Sequence, residues 1–217
     1  MEATQGWKRA AISLASWSND PQVAAMAAGV CYDAKNPQKA LEHAVNSGHE
    51  SVLEHVTYTF RIRNISRACL AQLTRHRIAS YSVRSQRYTN QEGTEVVCPQ
   101  TVQDNIDMML TWHKTVAACK ALYQSLIDVG IPKEDARYIL PEGTETELYV
   151  TMNARELRHF FSLRCCNRAQ WEIRSVADTM LNLVRTVTPE LFSDAGPGCA
   201  RGKCPEARPC GHPHYGT

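Results

Sequence analysis

The chain has 217 residues, 43% of them hydrophobic and 21% charged, with a net charge of +2. That is enough for one domain with a substantial core and too little for two of ordinary size. No apolar run approaches the roughly 20 residues that span a membrane, and so small a charge gives no bulk attraction to nucleic acid or anionic lipid. Near the start, Lys8 and Arg9 precede a short apolar patch that Ser13, Ser16 and Ser18 interrupt. This fits no secretory leader, so a cytoplasmic location is expected. The nine cysteines are odd in number, and free thiols are expected of them.

In chain order, Asp20-Pro21 reads as an N-cap and first-turn pair opening a helix through about Cys31, and Asn36-Pro37 opens a second that ends near Gly48. Val56 to Ile62 alternates large apolar with polar residues, as a half-buried strand does. Ser66 caps a helix through Leu73, and Arg75 to Asn90 reads as a polar loop. Residues 104–129 carry Ile106, Met109, Leu110, Val116, Leu122 and Leu126 at amphipathic helical spacing, closed by Gly130. Pro132 starts a short helix, Glu147 to Met152 forms a second strand, and 153–187 divides into two helices with a break near Cys165 to Asn167. The fold class is therefore α+β: a single helix-rich domain over 1–195 with an antiparallel or mixed sheet. Residues 196–217, rich in Pro, Gly and Cys, read as an extended tail.

Charge is distributed unevenly. From His55 to Gln91 there is no Asp, Glu or Lys, yet Arg61, Arg63, Arg67, Arg75, Arg77, Arg84 and Arg87 all occur. Arginine used alone suits planar, bidentate contact with phosphate or carboxylate. Within this stretch, Arg75-His76-Arg77 is followed after seven residues by Ser85. A helix end thus runs into a loop offering guanidinium forks, an imidazole and hydroxyls, which suits a phosphorylated ligand. A solvated basic loop is the plainer alternative.

The segment RHRIASYSVRSQRY resembles the signature of flavin-dependent thymidylate synthases, and three further blocks match the family in order. They are Gly48-His49-Glu50 with Glu54-His55, then Ala136 to Pro141, then Asn153-Ala154-Arg155 with Leu163-Arg164 and Ala169 to Glu172. By that resemblance, Arg75, His76, Arg77, Ile78, Asn153, Arg155 and His159 contact FAD. His49 positions the flavin or the folate. Gln72, Arg75, Ser85, Gln86, Arg87, Arg137 and Arg164 bind dUMP. Arg164 donates to the uracil C2 carbonyl and stabilises charge that develops on the ring; a surface ion pair with Glu156 or Glu172 is the alternative for it. Two positions depart from some members: Val83-Arg84 replaces an acidic residue, and Arg168 stands where a histidine occurs.

The resemblance further implies that NADPH reduces FAD and that 5,10-methylenetetrahydrofolate supplies one carbon to dUMP, giving dTMP and tetrahydrofolate. A homotetramer with shared active sites is implied as well. An isoelectric point of 8.1 falls below the basic footprint of nucleic-acid-binding modules, so neither a nucleic acid nor a membrane partner is expected. In the tail, Cys199, Cys204, Cys210 and His212 lack the paired C-x2-C spacing of zinc sites, and no metal is expected.

Overall fold

Five antiparallel strands form the sheet of the computed structural model, which describes residues 2–4, 10–18, 21–202 and 204–211. They are β1 (Glu2–Thr4), β2 (Ala11–Ser18), β3 (Thr57–Ser66), β4 (Ala79–Val83) and β5 (Glu145–Asn153), in the spatial order β1-β2-β3-β5-β4. Between β2 and β3 lie α1 (Gln22–Tyr32), α2 (Pro37–Asn46) and a 3-10 segment (Glu50–His55). α3 (Arg67–Leu73) joins β3 to β4, and α4 (Gln100–Gln103), α5 (Ile106–Asp128) and α6 (Lys133–Ala136) precede β5. α7 (Ala154–Arg164), α8 (Trp171–Val187) and α9 (Pro189–Phe192) complete the α+β domain. Among the described residues no helix is long and apolar enough to cross a membrane.

Alternation builds the core. Tyr58, Phe60 and Ile62 of β3 and Leu148, Val150 and Met152 of β5 point to one face and are buried, while the residues between them are not. Leu157, Phe160 and Phe161 of α7 and Ile173, Val176, Met180 and Val184 of α8 join the same apolar cluster. Four helix starts follow local chemistry: Asn36, Ser66, Asn105 and Asn153 each accept a backbone N–H from the first turn of the helix they open. Two of these caps, Ser66 and Asn153, end strands, so β3 passes directly into α3 and β5 into α7.

The structure corrects several expectations. Arg75 to Asn90 is not all loop, because Ala79 to Val83 pairs with β5 as an edge strand. β3 runs on to Ser66 through a register shift between Arg63 and Ile65, where Asn64 takes φ of 60°. β2 was hidden by its serines. Ala11, Ile12 and Leu14 are buried, but a register shift between Leu14 and Ser16 breaks the period. α1 starts at Gln22 with Pro21 before it, and Asp20 lies outside the described residues. α5 forms as expected, yet its apolar stripe does not enter the core: Tyr123 alone is buried, and Ile106, Leu110 and Leu122 are exposed.

Candidate functional site

Three sequence-predicted residues meet where α3 ends and α7 ends. Arg164 Nε lies 3.1 Å from His76 Nε2, and Arg164 NH2 lies 3.5 Å from the Gln72 carbonyl oxygen. His76 Nδ1 in turn lies 3.0 Å from Glu156 Oε1. Both members of that pair are buried. Burial, and then Arg164 and His159 against the opposing pull of Glu156, hold the His76 imidazole below its usual pKa. The Arg164 guanidinium is half-buried, and desolvation followed by the Arg75 charge lowers its pKa; an arginine so placed remains a cation. Neither alternative ion pair for Arg164 forms: Glu156 serves His76, and Glu172 accepts from Ser66 N and Oγ at 2.7 and 2.5 Å.

A second group stands beyond the other end of β4. Ser85 Oγ accepts from Arg87 N, and Ser85 O accepts from the Thr89 N–H and hydroxyl, so residues 85–89 form a tight turn. Arg87 pairs with Glu134 at 2.7 Å and lies over the Tyr88 ring. Gln86, Arg67, Arg137, Tyr138, Leu140, Pro141 and Glu142 line a pocket of about 420 Å³. Burial, then Arg137 and Arg84, lower the Arg67 pKa, and its Nε is buried without a hydrogen-bond partner. Converging guanidiniums of this kind suit an anion.

The remaining candidates lie on and beside α7. Asn153 caps it through Glu156 N at 2.8 Å, and Arg155 and His159 are exposed one turn apart. Arg155 pairs with Glu54. His49 Nδ1 bonds the Tyr32 hydroxyl at 2.7 Å with the two rings stacked, and its neighbour Glu50 pairs with Arg158 of α7 at 3.0 Å. The block around His49 is thereby fastened to the helix that carries Arg164. Arg75, Arg77 and Ile78 are exposed, and neither arginine pairs with a carboxylate among the described residues. Unneutralised guanidiniums beside an exposed apolar side chain suit a ligand that carries both anionic groups and a flat apolar face.

Sequence reading missed Arg158, named Arg67 only within the arginine stretch, and named Glu156 only as an alternative partner for Arg164. Glu156 had a signal, since Asn153-x-x-Glu156 has the spacing of a capping box; its carboxylate goes to His76 instead of the cap. Burial pushes the Cys69 and Cys165 thiols well above the usual thiol range, which disfavours a thiolate at either. In the tail, Cys199, Cys204 and Cys210 are not joined in disulfides, and no metal-binding group of His, Cys, Asp or Glu occurs among the described residues. His212 lies outside them.

Residues 13–190 match the family described as "Thymidylate synthase complementing protein". A "Flavin-dependent thymidylate synthase" of Geobacter sulfurreducens is 47% identical over 210 residues, covering 90% of each chain. Proteins of the same name from Pyrococcus furiosus and Clostridium tetani are 45% and 40% identical, covering 78% and 89% of this chain and 73% and 89% of theirs. With the matched region spanning β2 to α9 and both residue groups, the chain belongs to the flavin-dependent thymidylate synthase family.

Proposed function

We propose that this enzyme converts dUMP to dTMP in the cytoplasm, with 5,10-methylenetetrahydrofolate as carbon donor, NADPH as reductant and FAD as cofactor, releasing tetrahydrofolate. The convergence of Arg164, His76 and Gln72 carries this reading. With Nε and one NH2 proton engaged, Arg164 keeps three N–H donors. They serve the uracil C2 carbonyl, where a fixed cation stabilises negative charge developing on the ring. Ser85, Gln86, Arg87 and Arg137 take the 5'-phosphate, as guanidinium forks and backbone N–H groups do.

FAD, when bound, supplies the redox chemistry that no side chain here provides. Arg75, Arg77, Ile78, Asn153, Arg155 and His159 would hold it, and His49 would position the flavin or folate. A cysteine nucleophile is not needed, and burial of Cys69 and Cys165 disfavours thiolates there.

The active form is a homotetramer with shared sites. Two observations support it. α5 exposes Ile106, Met108, Leu110 and Leu122 along its length, apolar surface that neighbouring protomers would cover. The uracil-side and phosphate-side groups of one chain flank β4, whose five residues put about 13 Å of extended chain between them; a nucleotide held by Arg164 of one protomer then takes its phosphate contacts from another. The absorption spectrum of the purified protein tests the reading. An oxidised-flavin band that bleaches with NADPH supports it, whereas colourless protein showing salt-dependent oligonucleotide binding would mean a nucleic-acid module.

A further inference from the structure

We propose that His76 is a positioning residue for Arg164, and that Glu156, His76 and Arg164 form a relay in which the carboxylate orients the imidazole and the imidazole orients the guanidinium. This rests on the reading of Arg164 as the cation that faces uracil. His76 belongs to the motif whose resemblance implies flavin contact, yet it is only 5% exposed and both ring nitrogens are engaged within the chain. A carboxylate only accepts and a guanidinium only donates. The ring is therefore neutral, with its proton on Nδ1 toward Glu156 and its Nε2 lone pair toward Arg164 Nε.

The surroundings fix that arrangement. Phe160 packs edge-on against the imidazole at 4.9 Å, and the Tyr81 hydroxyl donates to the His76 and Leu73 carbonyls, each at 2.8 Å. Glu156 is held in turn by the α7 cap, its N–H donating to Asn153 Oδ1. The guanidinium is thus gripped along one edge, by His76 at Nε and by the Gln72 carbonyl at NH2, and its remaining donors are left for a ligand. Protonating His76 would set an Nε2–H against the Arg164 Nε–H and release that edge. The charged or titratable groups around the ring are Glu156, His159 and Arg164 of α7, with Arg75 acting on Arg164; the Tyr81 hydroxyl of β4 stays neutral because burial raises its pKa.

The test uses the full chain with FAD bound. His76→Phe keeps a ring and removes both bonds, while His76→Gln keeps one donor and one acceptor. His76→Phe is expected to lower kcat on the order of 10²-fold, as misplacement of a reacting group does, with little change in KM for dUMP; His76→Gln should recover much of that loss. The acid limb of the wild-type kcat profile should vanish in His76→Gln. Nitrogen-15 NMR of histidine-labelled wild-type protein should show His76 protonated at Nδ1 alone at neutral pH, a readout independent of turnover. An Nε2–H or doubly protonated ring, or wild-type kcat in a folded His76→Phe, overturns the relay. Should His76→Phe fail to assemble, the spectrum and His76→Gln decide. Full turnover in Arg164→Ala overturns the reading of Arg164 itself; loss of turnover there with normal kcat in His76→Phe overturns the relay alone.

Discussion

Arg158, wholly buried on α7, grips the carboxylate of Asp194 with both terminal nitrogens, at 2.7 and 2.8 Å. Its Nε bonds Glu50 at 3.0 Å, and NH1 also reaches the Leu191 carbonyl at 2.7 Å. One side chain thereby ties the 3-10 segment, α7 and the residues after α9. Arg158→Ala removes the cation that Glu50 and the 43%-exposed Asp194 share and should destabilise the fold by about 1–3 kcal/mol, the scale of hydrogen bonds to a charged group. Urea unfolding at fixed protein concentration measures it. A loss under about 1 kcal/mol, the scale of an exposed pair, would show that the clamp is not structural.

Glu172 gives a pH signature. Burial holds its carboxyl above the ordinary value of 4.5, against the opposing bonds from Ser66. The folded protein binds this proton at higher pH than the unfolded chain, so the group's contribution to stability grows as pH falls through the raised folded value. It levels off below the unfolded one. Glu172→Gln cannot titrate. Lowering the pH from about 7 to about 5 should therefore raise the melting temperature of the wild type relative to the variant, and parallel curves would contradict the assignment.

Arg75 and Arg164 lie on one chain, close enough that the charge of the first depresses the pKa of the second. Mixing Arg75→Ala with Arg164→Ala should therefore not restore activity. The productive pair takes one residue from each end of β4: Arg164→Ala with Arg87→Ala, each inactive alone. Co-expression should yield mixed oligomers with measurable turnover. Silence in a verified mixed oligomer would place both groups at the same site of one chain.

For the tail, residues 204–211 touch the turn between α7 and α8 through Arg168, which donates to the Arg208 carbonyl at 2.7 Å and pairs with Glu206. Every site candidate lies before it. Removing the residues after Gly198 should leave flavin binding largely intact, measured by absorbance per protomer. Stoichiometric zinc lost on truncation, together with lost stability, would make the tail a structural metal domain.

Local chemistry was legible where a residue and its partner are neighbours in sequence. The caps at Asn36 and Ser66, the start of α7 at Asn153 and the end of α5 at Gly130 all follow from adjacent residue types. β2 and the end of β3 were not, because register shifts break the two-residue period that identifies a strand. β4 lay concealed between arginines, although Ala79, Tyr81 and Val83 alternate with Ser80 and Ser82. The types of the site residues were legible, but the contacts that define their roles join positions 80 and 88 residues apart, His76 to Glu156 and to Arg164. No local pattern encodes such a pairing. Arg158 shows the same limit, since a charged residue reads as surface until Glu50 and Asp194 are seen beside it.

The identity of the folate product tests the central claim most directly. Purified enzyme is given dUMP, 5,10-methylenetetrahydrofolate and NADPH without oxygen, with flavin absorbance followed and the folates separated afterwards. The same run is made with Cys165→Ala and Cys166→Ala, whose thiols follow Arg164 in sequence and, for Cys165, lie buried. The account predicts dTMP and tetrahydrofolate in equal amounts, consumption of NADPH, and activity in both variants. Dihydrofolate formed without flavin reduction, with either cysteine indispensable, would contradict it.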